Sequence, residues 1–118
     1  MATTRDLVRL REMADAAKKI IAFSKGRTRT DLDGDEMYAL AIVRLLEIIG
    51  EAAKGVSESI RERYTDVPWS QIAGTRDRLI HGYFSVDYDI VWAVIARDLP
   101  PLITKLETIL STEDGKND

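Results

Sequence analysis

The segment Arg76-Asp77-Arg78-Leu79-Ile80-His81-Gly82-Tyr83 contains the one histidine of the chain. Imidazole is the side chain whose ordinary pKa lies near neutrality, so His81 is the first candidate for moving a proton. Arg76 and Arg78 add two fixed cations, and Tyr83 adds a phenol. A guanidinium grips a phosphate through paired N–H donors, while an imidazole transfers protons. Together they suit cleavage of a phosphodiester without a metal. The plainer reading makes Arg76, Asp77 and Arg78 a solvated helix face, with Tyr83 and Phe84 packed over the helix end. On a continuous helix Arg78 and His81 share a face, whereas Arg76 and His81 diverge by about 140°. Gly82 is the expected stop, leaving His81 and Tyr83 on an exposed lip.

These residues need elements to hold them, and the apolar spacing is helical throughout. Leu7, Leu10, Met13, Ala14, Ala17, Ile20, Ile21 and Phe23 mark a first helix over 5–24, capped by Thr3 or Thr4 and stopped near Gly26. A polar connection over 25–36 follows. The strongest signal runs over 36–63. There Met37, Ala41, Leu45, Ile48, Ile49, Ala52, Val56 and Ile60 form one stripe, widened by Leu40, Val43 and Leu46. So wide a stripe implies a central helix, or one that also meets another chain. Pro68 suits the first turn of a third helix, from about Trp69 to His81. Ser85 or Asp87 would cap the last helix, with Ile90, Val91, Ala93, Val94, Ile95 and Leu99 facing inward. Pro100-Pro101 must kink or divide it before Leu102, Ile103, Leu106, Ile109 and Leu110 resume the pattern. No segment alternates like a strand. The expected fold is all-α, an up-down bundle of four to five helices. One domain is expected over 1–118, with its core at about 5–110 and a frayed polar tail at 111–118.

Bulk properties narrow the function. The net charge is −3, which argues against a protein that binds long nucleic acid, DNA above all, by backbone electrostatics. A local basic pocket is still allowed. There is no cysteine, so neither disulfides nor thiolate metal sites arise. No apolar run approaches the roughly 18 residues of a membrane span, and the first ten residues lack a signal core. A cytoplasmic protein with no cofactor and no bound metal is expected.

Arg76, four residues, His81, one residue, Tyr83 resembles the R-x4-H-x-Y signature of HEPN domains. Leu46-Glu47-Ile48-Ile49-Gly50-Glu51-Ala52-Ala53, Asp87-Tyr88-Asp89-Ile90-Val91-Trp92 and Leu99-Pro100-Pro101 resemble the HepT-like branch. The likeness runs from about residue 5 to 110. It implies a two-fold homodimer with Arg76 and His81 catalytic in a cleft between the copies. It implies a metal-independent endoribonuclease acting as the toxin of a toxin–antitoxin pair, with RNA as substrate and a 2′,3′-cyclic phosphate as product. It implies an MNT-type nucleotidyltransferase as antitoxin, able to adenylylate Tyr83, and room for a higher hetero-oligomer. Arg78 is the candidate substrate-binding cation. One histidine per chain cannot easily serve as both acid and base, which fits a shared cleft. The competing reading is a non-catalytic HEPN module that binds a nucleotide or a nucleotidyltransferase.

Other features take plainer readings. Glu47 and Glu51 could pair with Arg76 or Arg78, but surface or interface ion pairs are favoured. Lys18, Lys19, Lys25, Arg27 and Arg29 read as a solvated face. Asp31-x-Asp33-Gly34-Asp35 is no calcium loop, because Ile42 stands where the twelfth-position glutamate is required. Trp69 and Trp92 read as core anchors.

Overall fold

The computed structural model describes residues 1–81 and 85–116, without the side chains of His81 and of residues 115–116. Helix α1 spans Thr4–Ser24 and opens on a capping box. Thr3 Oγ1 accepts from the Asp6 amide at 3.0 Å, and the Asp6 carboxylate accepts from the Thr3 amide at 3.1 Å. The chain leaves α1 by a type II turn, with the Arg27 amide donating to the Ser24 carbonyl at 3.0 Å. That turn needs a left-handed residue at its third position, and Gly26 supplies it with φ of 75°.

The connection contains a short helix, α2 (Asp31–Gly34). The central helix α3 spans Glu36–Lys54, with the Asp35 carboxylate capping the Tyr38 amide. The single helix expected over 36–63 is divided. It stops at Gly55 and restarts as α4 (Glu58–Arg63). Asp6 is the reason. Its buried carboxylate accepts from both the amide and the hydroxyl of Ser57 at 2.8 Å, which holds that residue extended. The Arg9 side chain also lies against Gly55, where a Cβ would come within 2.8 Å of Nε.

The third expected helix is divided as well, into α5 (Trp69–Ala73) and α6 (Thr75–Leu79), at Gly74. Beyond α6 come two paired two-residue strands, β1 (Ile80–His81) and β2 (Ser85–Val86). They depart from the strand-free expectation without changing the all-α class. Asp87 caps α7 (Tyr88–Ala93), as expected. A π-helical turn at Val94–Asp98 leads into α8 (Leu99–Lys116). Pro100 and Pro101 have no N–H for the carbonyls four residues back, so the helix widens ahead of them instead of kinking.

The bundle core is built on α3, which packs against α1 on one side and α5–α6 on the other. Its buried residues are Tyr38, Ala39, Ile42, Leu46, Ile49, Gly50, Ala52 and Ala53. Met37 and Leu40, read as part of the apolar stripe, are 83% and 61% exposed. Phe23, counted in the apolar spacing of the first helix, is 49% exposed. The tail is not frayed over 111–116. Helix α8 continues through it, and Glu113 is fully buried. No helix among the described residues is long and apolar enough to cross a membrane.

Candidate active site on the α3–α6 face

Arg76 sits in the first turn of α6 with its side chain exposed. It shares a groove of about 190 Å³ with Arg44, Glu47, Gly50 and Glu51 of α3 and Ala73 of α5. Arg44 approaches Glu47 at 3.9 Å, and Lys54 pairs with Glu51 at 3.3 Å. Both carboxylates therefore have cations on their own helix. Arg76 makes no ion pair among the described residues, so its five donors are free for an incoming anion.

Gly50 sets the closeness of this groove. A Cβ at that position would lie 3.1 Å from the Ile72 carbonyl oxygen. The absence of a side chain lets α3 approach the backbone that leads into α6. Gly50→Val should push this backbone away, lower stability by about 1–3 kcal/mol and displace Arg76. A melting curve and an activity assay check it, and a variant that melts with the wild type would refute the packing role.

Helix α6 ends at Leu79, two residues earlier than expected. Ile80 is extended, with φ of −104° and ψ of 115°. The Asp87 amide donates to the Leu79 carbonyl at 2.7 Å, satisfying an acceptor the helix end leaves open. His81 thus leaves the helix and pairs across to Ser85 in a short hairpin. The expected shared face of Arg78 and His81 fails with the helix that would have carried it. Tyr83 and Gly82 lie outside the described residues.

Arg76 and Arg78 do not converge either. Two residues apart on a helix, they point about 160° apart. Arg78 is half-buried and lines a different cavity, among α3, α5, α6 and the start of α8.

The secondary candidates resolve as surface chemistry. Arg27 pairs with Asp35 at 2.9 Å, and its guanidinium lies 4.6 Å from the centre of the Tyr38 ring. Arg29 bridges Asp33 and Asp89, and Lys18 reaches Glu107. Asp33 and Asp35 are thus occupied by arginines. The Asp35 carboxyl is held below its ordinary pKa by the Tyr38 amide first and by Arg27 second. Trp69 is buried with its indole N–H donating to the Tyr64 carbonyl at 2.9 Å, and Trp92 packs against the core. Sequence reasoning missed Arg44 as a groove residue. The signal was available in its place on α3, seven residues after Met37 and seven before Glu51.

Comparison with known proteins places these features in a lineage. Residues 13–109 match the family model described as "Ribonuclease HepT-like". A protein of Caldanaerobacter subterraneus named "Putative RNase" is 45% identical over 75% of this chain and 80% of its own length. Another of Methanocaldococcus jannaschii, also named "Putative RNase", is 38% identical over 84% of this chain and 82% of its own. A third, from Thermococcus cleftensis, is named "Probable ribonuclease HepT" and is 35% identical over 85% and 91%. No solved structure gives a significant match. With the family match spanning most of the helical bundle and Arg76 and His81 inside it, the chain belongs to the HepT-like ribonuclease family of HEPN domains.

Proposed function

We propose that this chain is a metal-independent endoribonuclease and the toxin of a toxin–antitoxin pair. The observation that carries it is Arg76, exposed and unpaired among the described residues on a groove, five positions before the one histidine. The names of the relatives support the ribonuclease part of this reading.

In the proposed reaction His81 takes the proton of an RNA 2′-hydroxyl. That oxygen attacks the adjacent phosphorus, and the bond from phosphorus to the 5′-oxygen breaks. The imidazolium of a second copy's His81 returns a proton to the leaving oxygen. The products are a 2′,3′-cyclic phosphate and a 5′-hydroxyl. Arg76 stabilises the charge on the phosphoryl oxygens. A two-fold pairing of chains supplies both imidazoles. The uncovered apolar side chains of Met37 and Leu40, one to two turns before Arg44 on α3, support a partner copy there. The decisive assay is cleavage of RNA in EDTA by wild type and by His81→Ala. Full activity in the variant overturns the reading.

The proposed antitoxin is an MNT-type nucleotidyltransferase that adenylylates Tyr83. AMP there would add bulk and negative charge, which would oppose binding of an RNA phosphate. After coexpression with such an enzyme, peptide mass spectrometry should find AMP on Tyr83, and Tyr83→Phe should stay toxic. AMP on another residue would refute the assignment.

A further inference from the structure

Arg78 opens onto a cavity separate from the Arg76 groove. Its floor is apolar: Leu46 and Ile49 of α3, Ile72 of α5, Val94 of the π turn, and Leu99 and Leu102 of α8. Its rim carries Arg78, Arg97 and Lys105 against one acid, Asp98. In a chain of net charge −3 this is a local concentration of cations. Lys105 donates to the Asp66 carbonyl at 2.8 Å. Arg78 and Arg97 form neither ion pairs nor side-chain hydrogen bonds among the described residues.

The π turn belongs to this cavity. The Leu99 amide bonds back to Val94, five residues earlier. The inserted residue lies in the turn that supplies Val94, Arg97, Asp98 and Leu99 to the wall. Such insertions are frequent where a helix serves a ligand.

We propose that this cavity is a nucleotide subsite. It takes one unstacked base in the apolar recess and holds the attached phosphate on Arg78 and Arg97. The volume of about 190 Å³ is below that of pockets for drug-sized ligands and suits a single ring system. The Gln71 amide on the wall offers both a donor and an acceptor to a base edge. Helix α6 presents Arg76 to one cavity and Arg78 to the other. A nucleotide chain crossing α6 would therefore meet a guanidinium on each side. The same chemistry also accepts a free nucleoside monophosphate. The RNA source rests on the ribonuclease reading above, whereas the site itself does not.

The test is amide NMR of the full chain titrated with each of the four ribonucleoside monophosphates and with adenosine. Shifts should concentrate at Thr75, Arg78 and residues 94–102. Adenosine should bind about tenfold more weakly than AMP, because it lacks the charged hydrogen bonds to arginine. Arg97→Glu should weaken AMP by at least about tenfold, and Arg97→Gln by less. Arg97 is exposed, so both variants should keep the wild-type circular dichroism. A short oligoribonucleotide on His81→Ala protein separates the sources. Tighter binding than AMP identifies RNA, and equal binding identifies the free nucleotide. The proposal is overturned if no nucleotide shifts these amides, or if shifts fall only at Arg44, Glu51 and Arg76. It is also overturned if Arg97→Glu binds as wild type, or if an acidic aromatic peptide saturates the site and nucleotides do not. Nucleotide binding without RNA cleavage would refute the ribonuclease alone. Cleavage without nucleotide binding would refute the subsite alone.

Discussion

His81→Ala should lower RNA cleavage by at least about a hundredfold, because a positioned acid–base group contributes about 10²–10⁴ in rate. If each cleft uses two copies of the imidazole, the variant loses both acid and base, and the fall lies toward the upper end. Arg76→Ala should lower kcat by about 10²–10³ through lost charge stabilisation on the phosphate. Arg76→Lys should recover only part of it, since an ammonium cannot make the paired contact. Arg76 is exposed and unpaired among the described residues, so its removal should leave the melting temperature close to that of wild type. This separates a catalytic role from a structural one. A large loss of stability in Arg76→Ala would place the residue in the fold instead. Single-turnover cleavage of a labelled RNA in EDTA, paired with thermal melts, reads both quantities. An Arg76→Ala enzyme with unchanged kcat would remove it from the chemistry.

The helices were legible because their apolar spacing is local information. Leu7, Leu10, Met13, Ala14, Ala17 and Ile20 repeat at helical steps, and all are buried. The breaks were less legible because they depend on residues remote in sequence. Nothing near Ser57 announces that Asp6, 51 positions earlier, will take its amide and hydroxyl. The end of α6 depends on Asp87 in the same way. That contact lies where the chain leaves the helix, ahead of His81. With the helix ended there, Arg78 and His81 do not share its face. The motif that nominates Arg76 was readable from residue types and spacing, because four intervening residues and one intervening residue are features of the chain itself. Its partition was not recognisable. Only the folded arrangement of α3, α5 and the start of α8 shows that Arg76 and Arg78 line different cavities. The exposure of Met37 is a related case. A helix apolar on two sides cannot say which side its own chain will cover.

Glu113→Ala should be the most damaging substitution outside the site, for a reason invisible in the polar composition of residues 111–118. The Glu113 carboxylate is fully buried and gathers three groups distant in sequence. It accepts from the Ala2 amide at 3.0 Å, from Arg63 at 3.1 and 3.3 Å, and from the Tyr64 hydroxyl. It ties the end of α8 to the chain start and to the end of α4. Charged hydrogen bonds contribute about 1.5–3 kcal/mol each when both partners are buried, but Arg63 is partly solvated and recovers water. A net loss of about 2–4 kcal/mol follows, a fall in Tm on the order of 10 °C. The same carboxylate gives the fold an acid limit. The Tyr64 hydroxyl first, then the Ala2 amide and Arg63, overcome burial and hold the Glu113 pKa below its ordinary 4.5. At Asp6 burial pushes the pKa up most strongly, yet the combined hydrogen bonds from Ser57 and Thr3 bring it below 3.8. A depressed folded pKa means that the unfolded chain binds more protons in the interval. The stabilisation is therefore complete above the ordinary values and drains as pH falls through the folded ones. Melts of wild type should be flat from neutrality down to about pH 5 and then decline. Glu113→Gln keeps the shape but cannot titrate, so it should start less stable and lose less on acidification. A Glu113→Ala protein melting within about a degree of wild type, or a Glu113→Gln protein with the wild-type acid profile, would show that the clasp does not hold the bundle.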